Sequence, residues 1–185
     1  GLMRVVPNLQ VVCPADAEEL LSCLPAVLES RKPCYLRYYD GEPAVAHTSP
    51  FRLGEAECLS RGDDVTLLAY GALVGQADRA RQLLEADGVS AGVVNLRTLV
   101  PLDEEAVVAA LDRSSLVVVL EDHRTATGLY PVVCQLAFSR GTTARVLPIG
   151  FTGDGFQPAE LDAVLDGESL RGDHVAATIR RSLAT

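Results

Sequence analysis

The chain has 185 residues, of which 48% are hydrophobic and 22% charged, so it can bury a real core and is excluded from the disordered class. Its apolar runs, such as residues 106–111 and 116–120, fall far short of the roughly 20 residues a bilayer-spanning helix needs; with no charged-then-apolar leader at the start, neither membrane nor secretion is expected. Sixteen Lys and Arg against 25 Asp and Glu give a formal charge of −9, which repels a phosphate backbone and argues against nucleic acid as a partner.

In chain order, residues 10–13 read as a strand, Pro14-Ala15-Asp16 as a capped turn, and residues 17–30 as a helix with apolar residues at Leu20, Leu21, Leu24, Val27 and Leu28. Asp16 is placed to accept the free N–H groups of the first turn, Glu18 and Glu19 suit the helix dipole, and Pro25 is expected to kink the helix. Residues 34–38 give a second strand. Residues 41–55 read as a linker between a short first unit, 1–40, and a second unit, 56–185. In the second unit the pattern repeats: strand 65–70, helix 73–86, strand 91–95, helix 103–111, strand 116–120, helix 130–139, strand 144–147 and helices at 161–165 and 175–183. The 116–120 run is apolar throughout, as expected of a central parallel strand covered on both faces. Alternating strands and helices predict an α/β fold, a three-layer α/β/α sandwich with a mostly parallel sheet, preceded by the remnant of a second α/β domain.

Five cysteines (13, 23, 34, 58 and 134) form no C-x-x-C pair and read as buried free thiols of a cytoplasmic protein. Gly153-Asp154-Gly155 has the form of a turn that holds a divalent metal on a diphosphate, but the downstream asparagine such a site needs is missing, since Asn8 and Asn95 both lie upstream; it is read as a loop. Glu121-Asp122-His123 follows the apolar strand at its carboxyl end, where open parallel sheets place ligands, although a role in a strand end or an interface is the simpler reading. His47 and His174 are expected to be solvated or capping, and Asp103-Glu104-Glu105 is explained by a helix first turn. Arg37 sits in a strand otherwise built for burial and needs an anionic partner, either a ligand phosphate or carboxylate or an internal carboxylate.

Several segments, in order, resemble the C-terminal part of transketolase-type, thiamine diphosphate-dependent enzymes. Arg4-Val5-Val6-Pro7-Asn8 leading to Pro14-Ala15-Asp16 is similar to the family's R-x-x-P-N and P-A-D segment, late in its pyrimidine-binding domain. Gly62-Asp63-Asp64-Val65-Thr66-Leu67-Leu68-Ala69-Tyr70-Gly71 resembles the opening of its C-terminal domain. Val94-Asn95-Leu96-Arg97-Thr98-Leu99-Val100-Pro101-Leu102-Asp103 and Glu121-Asp122-His123 with Gly128-Leu129 resemble two further motifs, with Val100 in place of a usual lysine and Thr127 and Tyr130 in place of glycines.

The resemblance implies transfer of a two-carbon ketol unit from a ketose donor to an aldehyde acceptor, with sugars or sugar phosphates as substrates. It implies thiamine diphosphate with Mg²⁺ or Ca²⁺, bound by parts this chain lacks, so the chain alone is expected to be inactive. An N-terminal diphosphate-binding subunit or a missing N-terminal region is then the expected partner, in a homodimer or heterotetramer, with apolar edges left exposed. Where related chains read R-x-x-R-G, Arg37 matches the first arginine and Asp40 stands in place of the second, the one that meets a substrate phosphate; both are expected at the substrate, and the carboxylate puts a phosphorylated acceptor in doubt. A deoxyxylulose-phosphate synthase, a 2-oxo acid dehydrogenase β subunit and a non-catalytic assembly module are the alternatives.

Overall fold

The structure, a computed structural model, describes residues 1–40, 45–151, 153 and 159–184. Its larger sheet has five strands: β3 (Glu57–Ser60), β4 (Val65–Ala69), β5 (Ala91–Asn95), β7 (Leu116–Arg124) and β8 (Arg145–Phe151), in the order β3-β5-β4-β7-β8. The pairs β5-β4, β4-β7 and β7-β8 are parallel, and only the edge strand β3 runs antiparallel. Alternate side chains of the central strands serve opposite faces, as a period of two requires. Val65, Leu67, Ala69, Leu116, Val118 and Leu120 pack into one core with α2 (Val74–Ala86) and α6 (Gly172–Leu183). Leu68, Val117 and Val119 pack into the other with α3 (Glu104–Arg113) and α4 (Tyr130–Arg140). This is the expected three-layer sandwich, and β7 is the central strand its uniform apolarity announced. A short helix, α5 (Leu161–Gly167), precedes α6.

A second, three-stranded sheet has the order β2-β1-β6, with β1 (Gln10–Val12) parallel to β2 (Cys34–Leu36) and antiparallel to β6 (Thr98–Val100). The chain therefore leaves the larger sheet after β5 and lends three residues to the smaller one before returning. Between β1 and β2 lies α1 (Ala17–Ser30), capped as expected by Asp16, whose Oδ1 accepts from the Glu19 N–H at 3.0 Å. The helix continues through Pro25. Its apolar residues divide between two faces: Cys23 is buried and Leu20 and Val27 half-buried against Val12, whereas Leu21 and Leu28 are 68% and 75% exposed. That second stripe, with Leu24 beside it, has no covering element among the described residues.

Differences from the sequence-based expectation are local. β7 runs on past the expected 116–120 to Arg124, so Glu121, Asp122 and His123 form its carboxyl end, and β8 likewise runs on to Phe151. Strands β3 and β6 were not expected; each is three or four residues long and largely polar or half-buried. Only Cys13 and Cys23 of the five free cysteines are buried, and Cys58 is exposed on the edge strand. Where β3 gives way to β4 the backbones nearly touch: a Cβ on Gly62 would stand 2.3 Å from the Gly92 nitrogen, so no side chain fits there. No helix of the described residues is long and apolar enough to cross a membrane.

Candidate functional site

The carboxyl ends of β1 and β2 meet those of β4 and β7. The end of β1 is fixed there by its own backbone: the Cys13 N–H donates to the Arg97 carbonyl at 2.9 Å, and the Cys13 carbonyl accepts from Gly71 N–H, beyond β4, at 3.2 Å. Arg37, just past β2, donates its N–H to the Val12 carbonyl at 2.8 Å. The gap between these strand ends is a cleft of about 340 Å³ whose lining includes Cys13, Arg37, Tyr38, Tyr39, Gly71 and Asp122, with Phe151, Leu161 and Val164 among its apolar residues. Carboxyl ends of parallel strands are where such sheets hold ligands.

The charged pair of this cleft joins the sheets. Arg37 Nη1 and Nη2 donate to Asp122 Oδ1 and Oδ2 at 2.5 and 2.9 Å, and Nη2 also reaches the Asp122 carbonyl at 3.3 Å. Burial opposes the charge on Arg37, and the Asp122 carboxylate outweighs it, so the guanidinium stays firmly protonated. Of the two anionic partners open to Arg37, the structure thus provides the internal one. Asp40 is exposed three residues further on and accepts from the Tyr38 hydroxyl at 3.3 Å. Arg37 and Cys13 also line a second cavity of about 240 Å³, together with Tyr35, Tyr70, His123 and Gly128. Burial pushes the Cys13 thiol up to about 12, which leaves it unreactive as a nucleophile.

Glu121, next to this pair, is fully buried and holds the start of α4. Its Oε2 accepts from Leu129 N–H at 2.7 Å and from the Tyr70 hydroxyl at 3.1 Å, and its Oε1 from Tyr130 N–H at 3.2 Å. A carboxylate at a helix N-terminus meets orphan donors and the positive end of the dipole. Burial raises its pKa, and these three donors oppose the rise. Gly128 is obligatory here, because a Cβ would stand 1.9 Å from Glu121 Oε2. Glu121 is therefore a structural cap, with no free oxygen aimed at the cleft.

A further cluster lies at the seam between the sheets. Arg97, 1% exposed, places Nε 2.7 Å from Glu19 Oε1 and Nη2 2.8 Å from Glu57 Oε2. It also donates to the Pro50 and Ser49 carbonyls at 2.9 Å each. His47 bridges Glu57 Oε2 at 2.8 Å and Asp16 at 3.2 Å. Asn95, paired with Glu57 across β5 and β3, donates to Glu19 at 3.0 Å. Burial and its backbone and arginine contacts compete at Glu57: burial pushes it up, but His47, the Thr48 N–H and Arg97 bring the carboxyl down to about 2. At Glu19 burial prevails and raises the pKa. For His47, burial is outweighed by Glu57, Glu19 and Asp16, so its pKa lies above the ordinary histidine value.

His47 is thus not the solvated or capping residue expected, because three carboxylates converge on a side chain left 9% exposed. Asp16 and Glu19, three apart at a helix start, carried a legible capping signal; Glu57 and Arg97 carried none. Glu19, His47 and Glu57 offer ligand atoms within 4.8 Å of one another, but Arg97 already supplies the positive charge between the two glutamates. Nor do the described residues fit thiamine diphosphate and its metal: Asn95 is buried in this cluster and donates to Glu19 and Glu57. Asp154 and Gly155 of the Gly-Asp-Gly motif, and Gly41 with the linker residues 42–44, lie outside the described residues. His174 is exposed on α6, in keeping with a solvated role.

Residues 54–166 match the family described as "Transketolase, C-terminal domain". Over 97% of its length the chain is 31% identical to a 1-deoxy-D-xylulose-5-phosphate synthase of Heliobacterium modesticaldum, covering 28% of that protein. It is 28% identical over 99% of its length to a putative transketolase C-terminal section of Methanocaldococcus jannaschii, covering 58% of it. A solved structure described as "Split gene transketolase, inactive beta4 tetramer" superposes with a TM-score of 0.86 at 30% identity, covering 99% of this chain and 60% of that one. The chain thus spans between about a quarter and three-fifths of the length of these relatives.

Proposed function

The chain belongs to the transketolase C-terminal domain family, and from this premise we propose that it is the C-terminal component of a transketolase-like transferase that moves a two-carbon ketol unit from a ketose to an aldehyde. Enzymes of this family depend on thiamine diphosphate, and the parts that bind it are supplied by an N-terminal diphosphate-binding subunit or by a preceding region. The cofactor furnishes the carbanion chemistry. This chain contributes one wall of the substrate cleft, with Arg37 and Asp40 at the acceptor, and a scaffold that brings two copies of the assembly together. Its domains divide as residues 1–40, the end of the pyrimidine-binding domain; 41–55, a linker; and 56–185, the C-terminal domain.

The observation that carries this reading is the split-gene transketolase, whose β chains assemble without activity and which matches nearly the whole of this chain. The uncovered stripe of Leu21, Leu24 and Leu28 on α1 supports a missing partner surface, since an apolar stripe of that length on a helix calls for burial. A second reading, deoxyxylulose-phosphate synthesis, is favoured by the 31%-identical relative. Co-purification with an N-terminal transketolase section, thiamine diphosphate and Mg²⁺ separates them. Ketol transfer from a ketose supports the first reading, condensation of pyruvate with an aldehyde the second, and inertness with every donor opposes both.

A further inference from the structure

From the cleft geometry we infer that Asp122 is a specificity-determining residue, which occupies the anion-binding face of Arg37 and so turns the cleft from phosphate esters to neutral hydroxylated acceptors. The inference rests on the cleft being the acceptor site proposed above, and it adds a residue, and a substrate class, to that site. Arg37 and Asp122 are the charged residues lining the larger cleft among those described, and their charges cancel. Both terminal nitrogens of Arg37 are taken by Asp122, two of the bonds in the parallel fork geometry with which a guanidinium would otherwise grip a phosphate. Three of its five N–H groups are engaged in this way, and its Nε makes no hydrogen bond among the described residues, which leaves that nitrogen as a donor suited to a hydroxyl oxygen.

Asp122 itself is only 16% exposed, and as part of β7 beside the buried cap Glu121 it is held in place. An anion therefore has to displace a bidentate partner and lie against its negative charge. A sugar hydroxyl has to do neither, and the phenol groups of Tyr38 and Tyr39 are on the same lining.

The test uses the ¹⁵N-labelled chain, titrated with inorganic phosphate and read at the Arg37 Nε–Hε resonance, assigned with Arg37→Lys. The wild-type resonance should stay unmoved to tens of millimolar, whereas Asp122→Asn should show a saturable shift at least tenfold tighter. Asp122→Ala repeats the measurement if asparagine keeps the pair. Saturable binding at Arg37 in the wild-type chain overturns the inference, as does a variant in which the pair is broken and no phosphate binds. In the complex with the N-terminal section, Asp122→Asn should raise the ratio of kcat/KM for phosphorylated over free aldehydes at least tenfold, and an unchanged ratio also overturns it. A complex that transfers no ketol unit counts against the proposed function, while the phosphate titration still decides the role of Asp122.

Discussion

Replacing Arg97 by methionine isolates the charge at the seam, because methionine keeps much of the volume of the side chain and loses all of its donors. Arg97 and both its glutamate partners are about 1% exposed or less, so the change leaves Glu19 and Glu57 buried without the guanidinium and with only His47 beside them as a basic group among the described residues. Breaking a buried pair from one side costs about 3–5 kcal/mol, far more than a surface pair is worth. Two carbonyl acceptors, at Ser49 and Pro50, lose their donor as well. Against a total stability of about 5–15 kcal/mol, such a loss brings the chain near its folding threshold. For a chain of this size it lowers Tm by about 10 °C. Urea titration followed by circular dichroism measures the loss, and hydrogen exchange at Val12 and Cys13 shows whether the seam opens first. The penalty should shrink towards acid pH, because Glu19, whose carboxyl burial already pushes up, takes a proton and no longer needs its partner. Adding Glu19→Gln and Glu57→Gln should recover part of the loss at neutral pH. A single variant within about 1 kcal/mol of wild type would refute the view that this cluster holds the sheets together.

His47 has a pKa raised by Glu57, Glu19 and Asp16 against burial, so its protonated form stabilises the fold: that stabilisation is complete below the unfolded value near ~6.5 and fades as the pH rises through the folded value. His47→Gln should flatten the fall in urea midpoint across that alkaline window, and an unchanged slope would locate the titration elsewhere. Gly128→Ala drives a methyl group into Glu121 and should cost about 3 kcal/mol through overpacking and loss of the α4 cap, read by thermal denaturation. Asp40→Arg, in the complete enzyme, should shift preference towards phosphorylated acceptors by roughly 1.5–3 kcal/mol, the strength of a charged hydrogen bond, as measured by competing free and phosphorylated aldehydes.

What the sequence made legible follows from how local each signal is. Strands β4 and β7 are buried on both faces, so their apolar runs announce themselves, and the cap at Asp16 is encoded within four residues. Strand β6 escapes such reading because Thr98–Val100 is three residues whose partner, β1, lies some ninety positions earlier. Glu121 to His123 break the apolar run of β7, yet continue the strand beside Gly150, where a Cβ would stand 2.7 Å from the Glu121 carbonyl oxygen. The seam cluster draws on residues 16, 19, 47, 57, 95 and 97, and no spacing rule joins them; the folded sheets do. Arg37 was legible as a cation that needs an anion, but which anion depended on β7 meeting β2 across the gap.

Calorimetric titration of thiamine diphosphate with Mg²⁺ into this chain alone, and into its complex with an N-terminal transketolase section, tests the central claim most directly. No binding heat from the chain alone and saturable binding by the complex are the expected results. Tight, stoichiometric capture of the cofactor by the isolated chain would contradict the assignment of the cofactor site to the other component.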